Sequence, residues 1–223
     1  MTAPRLAALL FDFDGVLIES EASGNRHIAD YLTAIGHPIS AEESMARFMG
    51  RSGADFLREM EGFLGRPVPD DFHDARMTEN ERCLVEGIEE VTGAVRFVRS
   101  LPADLPRAVV SSSRVHWIRT HLDHLGIADV FGDHLYSGTE HVANGKPAPD
   151  LYWLGAERLG VPIERCAIIE DSPVGATGAV ASGAFVIGLV AGSHCAPDHA
   201  DRLRAIGVHA IARDFNEVAA LLG

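Results

Sequence analysis

Asp12 and Asp14 flank Phe13 in LLFDFDGV, directly after the apolar run LAALLF at positions 6 to 11. An ionised carboxylate is costly to hold against apolar surface and beside a second carboxylate unless a cation, a proton or several donors compensate. Glu170 and Asp171 repeat the pattern at the end of another apolar run, CAIIE at 166 to 170. Carboxylates that converge with a backbone carbonyl, at a turn that DG allows, are ligands of the kind Mg²⁺ takes, with water and a substrate phosphate completing its sphere. Asp12, Asp14, Glu170 and Asp171 are therefore the candidate metal ligands.

The donors form the other half of such a site. Ser111, in VVSSSR, offers a hydroxyl where a strand should end. The amides of Ser112 and Ser113 fall at an expected helix start, a favoured place for an anion. Lys146, in NGKPAPD, sits in a Gly-Pro loop that can aim one ammonium at the same centre. A phosphoryl group held there is neutralised from both sides. Asp12 can attack phosphorus to give an aspartyl-phosphate, while Asp14 can protonate the leaving oxygen and then take a proton from the attacking water. Phosphoryl transfer otherwise asks mainly for in-line positioning and charge stabilisation.

Such convergence requires elements that end at one place. Strand-like runs recur as LAALLF, RAVVS (107 to 111), HLYSG (134 to 138), CAIIE, AFVIGLV (184 to 190) and HAIA (209 to 212). Between them lie the helix-like segments VHWIRTHLDHLG, PDLYWLGAERLG and the short, glycine-rich GATGAVASG. This alternation predicts an α/β fold with a parallel sheet covered on both faces. Ligands of such sheets collect at the carboxyl ends of the strands. Asp12, Ser111, Glu170 and Asp171 all follow strand-like runs. Residues 20 to 86 carry helical patterns such as NRHIADYLTAIG and SGADFLREMEGFLG without a convincing strand, and are too many for one crossover helix. They read as a helical insert, with residues 1 to 19 and 87 to 223 forming the core. Phe48, Met49, Phe56 and Met60, at helical spacing, read as the insert's own core.

DFDGV (12 to 16), Ser111 of VVSSS, Lys146 of GKPAPD and IEDS (169 to 172) together resemble the four ordered motifs of the haloacid dehalogenase superfamily, in its β-phosphoglucomutase-like phosphatase branch. The resemblance covers nearly the whole chain. It implies a Rossmann-like core with a mobile α-helical cap domain inserted after the first strand. It further implies Asp12 as nucleophile, Asp14 as general acid/base, Ser111 and Lys146 as phosphoryl ligands, and Mg²⁺ held by Asp12, the Asp14 carbonyl, Glu170 and Asp171. The presence of Asp14 disfavours a dehalogenase, and the absence of Lys between 20 and 86 disfavours a phosphonate hydrolase. At the positions where the family's mutases place a cap His and Arg this chain has Gly24 and Gly53, which favours a phosphatase over a phosphosugar mutase. His27 and Arg51 are the local substitutes. Arg51 of the cap and Arg114, just past Ser113, are the candidate contacts to the rest of the substrate. Relatives commonly carry Asp-Ser where this chain has Glu19-Ser20. The expected activity is hydrolysis of a small sugar or sugar-acid phosphate, with a non-catalytic phosphometabolite-binding protein as the alternative from another class.

Composition narrows the partners. The 223-residue chain has a formal net charge of -13, which argues against general attraction to nucleic acid or anionic membrane. No apolar stretch reaches the length of a membrane span, and the N-terminal run is too short for a signal peptide. Three widely spaced cysteines, Cys83, Cys166 and Cys195, predict no disulfide framework and fit a reducing cytoplasm. The segment GSHCAPDHADRL (192 to 203) holds His194, Cys195 and His199, three zinc-type ligands where a structural site wants four. It reads as a loop and helix start. A monomer or weak homodimer is expected.

Overall fold

The computed structural model describes residues 6–48 and 53–223. Met49 and Arg51 lie outside the described residues. The chain divides into two compact units, Met1–Glu19 with Glu89–Gly223, and Ser20–Ile88.

In the first unit β1 (Ala8–Phe11), β2 (Arg107–Ser111), β3 (Leu135–Ser137), β4 (Cys166–Glu170), β5 (Phe185–Leu189) and β6 (Ala210–Ala212) form a parallel sheet in the order β3-β2-β1-β4-β5-β6. Every residue of β1, β2 and β4 is buried, which is why these strands read as continuous apolar runs rather than alternating ones. The fold is thus α/β and Rossmann-like. From β1 the chain runs outward through β2 to β3, then returns to place β4 on the other side of β1. The carboxyl ends of β1 and β4 flank that reversal, where such sheets bind ligands.

In the second unit α1 (Ser20–Ala34), α2 (Ala41–Phe48), α3 (Gly53–Leu64) and α4 (Phe72–Glu86) enclose Ile28, Leu32, Phe48, Met60, Leu64 and Phe72, with Phe56 packed against them. Phe56 stacks on Phe72 with ring centroids 5.9 Å apart.

The sheet is flanked by α5 (Ala94–Ser100), α6 (Val115–His124), α7 (Ala128–Phe131), α8 (Asp150–Leu159), α9 (Pro173–Ser182), α10 (His199–Ile206) and α11 (Phe215–Leu222). On one face Leu10, Val110 and Ile168 pack with Leu151, Tyr152 and Ala156 of α8 and Ala179 of α9. On the other, Phe11 meets Phe97 of α5 and Phe131 of α7, and Phe97 stacks on Phe215 of α11. Among the described residues no helix is long and apolar enough to cross a membrane.

Candidate active site

Asp12 leaves β1 with its N–H donating to Ile169 of β4 at 3.0 Å, so the sheet ladder itself sets the nucleophile candidate beside Glu170. Lys146 arrives from a position 134 residues away and donates to both: Nζ lies 2.7 Å from Asp12 Oδ1 and 2.5 Å from Glu170 Oε1. The Lys146 side chain is only 4% exposed. Two carboxylates and one ammonium are thus held together out of water. Burial pushes the Asp12 carboxyl well above its usual range, and the Glu170 charge adds to this against the pull of Lys146. Burial works against charge on Lys146, yet Asp12 and Glu170 outweigh it and hold the ammonium protonated.

Glu170 is fully buried and saturated with donors. Its Oε1 takes Lys146 and lies 2.9 Å from the Tyr152 hydroxyl; its Oε2 takes the Ser172 N–H at 3.0 Å and the Ser172 hydroxyl at 3.2 Å. The Tyr152 proton can go either to Glu170 or to the Gly175 carbonyl, also 2.9 Å away. Ser172 Oγ caps α9 by accepting from Gly175 N–H at 3.0 Å. The first turn of α9 approaches so closely that a Cβ on Gly175 would fall 1.7 Å from Glu170 Oε1. Expected among the metal ligands, Glu170 here has both oxygens engaged by protein donors.

Asp171 is also buried, but not saturated. Oδ2 lies 2.8 Å from His194 Nε2, while Oδ1 has no hydrogen-bond partner among the described residues. Burial raises its carboxyl, the His194 hydrogen bond opposes that, and Glu170 adds to the rise. For His194 burial favours the neutral ring, but the Asp171 hydrogen bond, aided by Cys195, more than offsets it and holds the imidazole up at about 10. Gly15 closes this side: its φ is +79°, and a Cβ there would fall 2.1 Å from Asp171 Oδ2, so the DG turn needs glycine for both conformation and space. Asp12, Glu170 and Asp171 each bring a carboxylate oxygen within 4.8 Å of the others. Three buried acids, one with an unsatisfied oxygen, form a donor set that a hard cation fits.

Asp14 faces a different set of groups. Ser113 Oγ and Ser111 Oγ donate to Oδ2 at 2.5 and 3.3 Å, and Trp117 Nε1 donates to Oδ1 at 3.2 Å. The Ser113 N–H donates to Ser111 Oγ at 3.0 Å, and at the start of α6 the Val115 N–H meets the Glu140 carboxylate at 3.0 Å. Ser112 and Arg114 are exposed at the mouth of this loop. Of the cap candidates, Arg51 lies outside the described residues. His27 sits 3.6 Å from Glu79 within the second unit, and the Gly24 carbonyl accepts from Arg76 at 3.1 Å. Glu19 accepts from the Ser193 N–H at 3.1 Å and from its hydroxyl at 2.7 Å, so the acid at the expected hinge ties down the loop that carries His194.

Sequence reasoning missed Tyr152, Trp117 and the contact of His194 with Asp171. Tyr152 falls on the buried stripe of α8 and reads as core by its period; nothing local marks its hydroxyl as a donor to Glu170. Trp117 is likewise an ordinary apolar position of α6.

Comparisons with known proteins show the family. A family model described as "Hydrolase: haloacid dehalogenase-like hydrolase" matches residues 6–183. Hexitol phosphatase A of Escherichia coli (strain K12) is 31% identical over 187 residues, covering 83% of each chain. 6-Phosphogluconate phosphatase of the same organism is 27% identical over 195 residues, covering 86% of each. A solved haloacid dehalogenase-like protein of unknown function from Agrobacterium tumefaciens str. C58 superposes with a TM-score of 0.88 at 31% identity, over 97% of each chain. A HAD family hydrolase from Deinococcus radiodurans R1, solved with bound phosphate and sodium, has a TM-score of 0.87 at 32% identity, over 98% of this chain and 95% of that one.

Proposed function

This chain belongs to the haloacid dehalogenase-like hydrolase family and is a phosphoric monoester hydrolase, and we propose that it cleaves a sugar or sugar-acid phosphate in a Mg²⁺-dependent reaction through an aspartyl-phosphate intermediate on Asp12. The observation that carries the proposal is Lys146 bridging Asp12 and Glu170 beside the unsatisfied Oδ1 of Asp171. A cation and a free carboxylate oxygen then flank a buried nucleophile. The Deinococcus relative was solved with bound phosphate and sodium, the kinds of ion this reading needs.

Asp12, the Asp14 carbonyl and Asp171 would hold the Mg²⁺. Glu170, whose oxygens are taken, lies behind them as the anchor of Lys146. Bound there, Mg²⁺ would offset the charge of the acids and draw negative charge from the phosphoryl oxygens. In the first step an Asp12 carboxylate oxygen bonds to phosphorus as the ester P–O bond breaks, and Asp14 gives its proton to the departing alkoxide. Water then attacks phosphorus, passes a proton to Asp14, and the Asp12–phosphorus bond breaks to release phosphate. Ser111 and Lys146 bind the phosphoryl oxygens, Ser111 exchanging its contact with Asp14 for the substrate. Ser112, Ser113 and Arg114 line the approach, and residues 20 to 86, Arg51 included, act as the cap that selects the sugar.

Relatives named as phosphatases of hexitol phosphates, 6-phosphogluconate and fructose 1-phosphate support this substrate class. The test is phosphate release from those three compounds and a nucleotide control, with Mg²⁺ or with chelator, by the wild type and Asp12→Asn. Release that requires both Mg²⁺ and Asp12 is expected. Phosphate retained on an isomerised sugar would favour the mutase reading, and no release from any of the three sugar compounds would reject this substrate class.

A further inference from the structure

His194, Cys195 and His199 each place one ligand atom within 4.8 Å of the other two. The catalytic reading uses none of them. His194 and His199 are 6% and 3% exposed, and their rings stand edge to face at 5.8 Å. His199 Nε2 lies 2.5 Å from the Asp171 carbonyl oxygen. A carbonyl can only accept, so that nitrogen carries the proton, and in the neutral ring Nδ1 has a bare lone pair. That Nδ1 is buried without a hydrogen-bond partner among the described residues. A ring that donates one N–H to a carbonyl while its other nitrogen stays unsatisfied is the arrangement found in metal-ligating histidines. His194 Nε2 faces Cys195 Sγ at 3.5 Å and Asp171 Oδ2 at 2.8 Å, and Asp171 Oδ1 is also unpartnered.

We propose that His194, Cys195 and His199 form a second metal site for a borderline-soft transition ion of the Zn²⁺ type, with Asp171 as fourth ligand. Two imidazoles, one thiolate and one carboxylate suit tetrahedral Zn²⁺ and not Mg²⁺, which rejects sulfur and nitrogen for oxygen. Zinc bond lengths put tetrahedral ligand atoms about 3.3 to 3.8 Å apart. The 3.5 Å pair of His194 and Cys195 already has that separation, the other pairs of these three, all within 4.8 Å, close by about 1 Å at most, and Asp171 Oδ2 meets the set at His194 Nε2, 2.8 Å away. Binding releases the thiol proton of Cys195 and exchanges the Nε2 proton of His194 for the metal. The Glu19 bonds to Ser193 hold the ligand loop in place beforehand. Sharing Asp171 makes this ion a competitor of Mg²⁺, a consequence that rests on the magnesium reading above.

Co²⁺ serves as the probe, titrated into metal-free protein without Mg²⁺. One equivalent is expected to give the visible bands of tetrahedral Co²⁺ with a near-ultraviolet thiolate-to-cobalt band, both bleached by Zn²⁺. Cys195→Ser, a near-isosteric change at a half-buried position, should abolish the thiolate band and weaken binding at least tenfold, since even an outer-shell partner is worth roughly that. Octahedral cobalt bands alone, or a thiolate band that survives in folded Cys195→Ser protein, would overturn the site. Repeating the titration with excess Mg²⁺ should weaken Co²⁺ binding. An unchanged affinity beside an intact thiolate band would leave the transition-metal site standing and remove Asp171 as a shared ligand.

Discussion

His121 of α6 is fully buried, and among the described residues neither ring nitrogen has a hydrogen-bond partner. Its ring stands edge-on to Trp117 with centroids 4.2 Å apart, and His124 lies 6.1 Å away. Burial pulls the imidazole down to about 4; the Asp14 charge opposes this and His124 adds to it. The unfolded chain takes up that proton near the ordinary value of 6.5, and the folded chain only near 4. Between those values the unfolded state binds more protons, so stability is full above the upper value and is lost as pH falls toward the lower. Replacing His121 by Leu should remove about 1 to 3 kcal/mol of that dependence, read from urea unfolding across the window; parallel curves for the two proteins would refute it. The same buried helix face shows the limit of reading residues from sequence. Asp12, Asp14, Lys146 and Asp171 were legible because each motif carries its residue types locally. The partners Trp117 for Asp14 and Tyr152 for Glu170 come from 103 and 18 positions away, and side-chain direction across such gaps is set by tertiary packing.

At the scale of elements, the six strands stand where the apolar runs predict them, because a sheet covered on both faces leaves no polar alternation to interrupt the run. The helices of Ser20–Ile88 were harder to read. In α4 only Phe72, Glu79 and Cys83 are buried, too sparse a stripe to announce an amphipathic helix, whereas α2 carries a local mark in Ser40 and Glu43. Ser40 Oγ accepts the Glu43 N–H at 3.1 Å and Glu43 accepts the Ser40 N–H at 2.9 Å, a reciprocal capping box. The first turn of α9 matters most for the site, because Gly175 there leaves the space that Glu170 occupies. Gly175→Ala drives a methyl into that carboxylate and, through it, displaces Lys146. A loss of about 2 kcal/mol or more of stability and a roughly hundredfold fall in turnover are expected from urea unfolding and phosphate release. Gly62→Ala in α3, where a Cβ meets nothing within 4 Å, is the control of opposite sign, expected to add up to about 1 kcal/mol. Equal behaviour of the two variants would show that Glu170 can relax away from the helix without consequence.

For the molecule as a whole, the formal net charge of -13 opposes the approach of any phosphate ester. Lys146, the buried ammonium of the site, is already paired with Asp12 and Glu170, so it draws little from a distance. Attraction must therefore develop at short range, after the anion has come in against a repulsive field. Salt screens that field: the Debye length shrinks from about 30 Å at 0.01 M to about 8 Å at 0.15 M. With free Mg²⁺ held constant, kcat/KM for a phosphate dianion should rise about two- to tenfold over that range, while kcat, set after binding, stays level. The opposite slope would mean that a local patch of exposed cations, Arg114 among them, steers the substrate in despite the charge of the rest. Replacing Arg114 by Gln would then flatten the salt dependence, whereas under net repulsion it should steepen the rise, because one more compensating charge has gone.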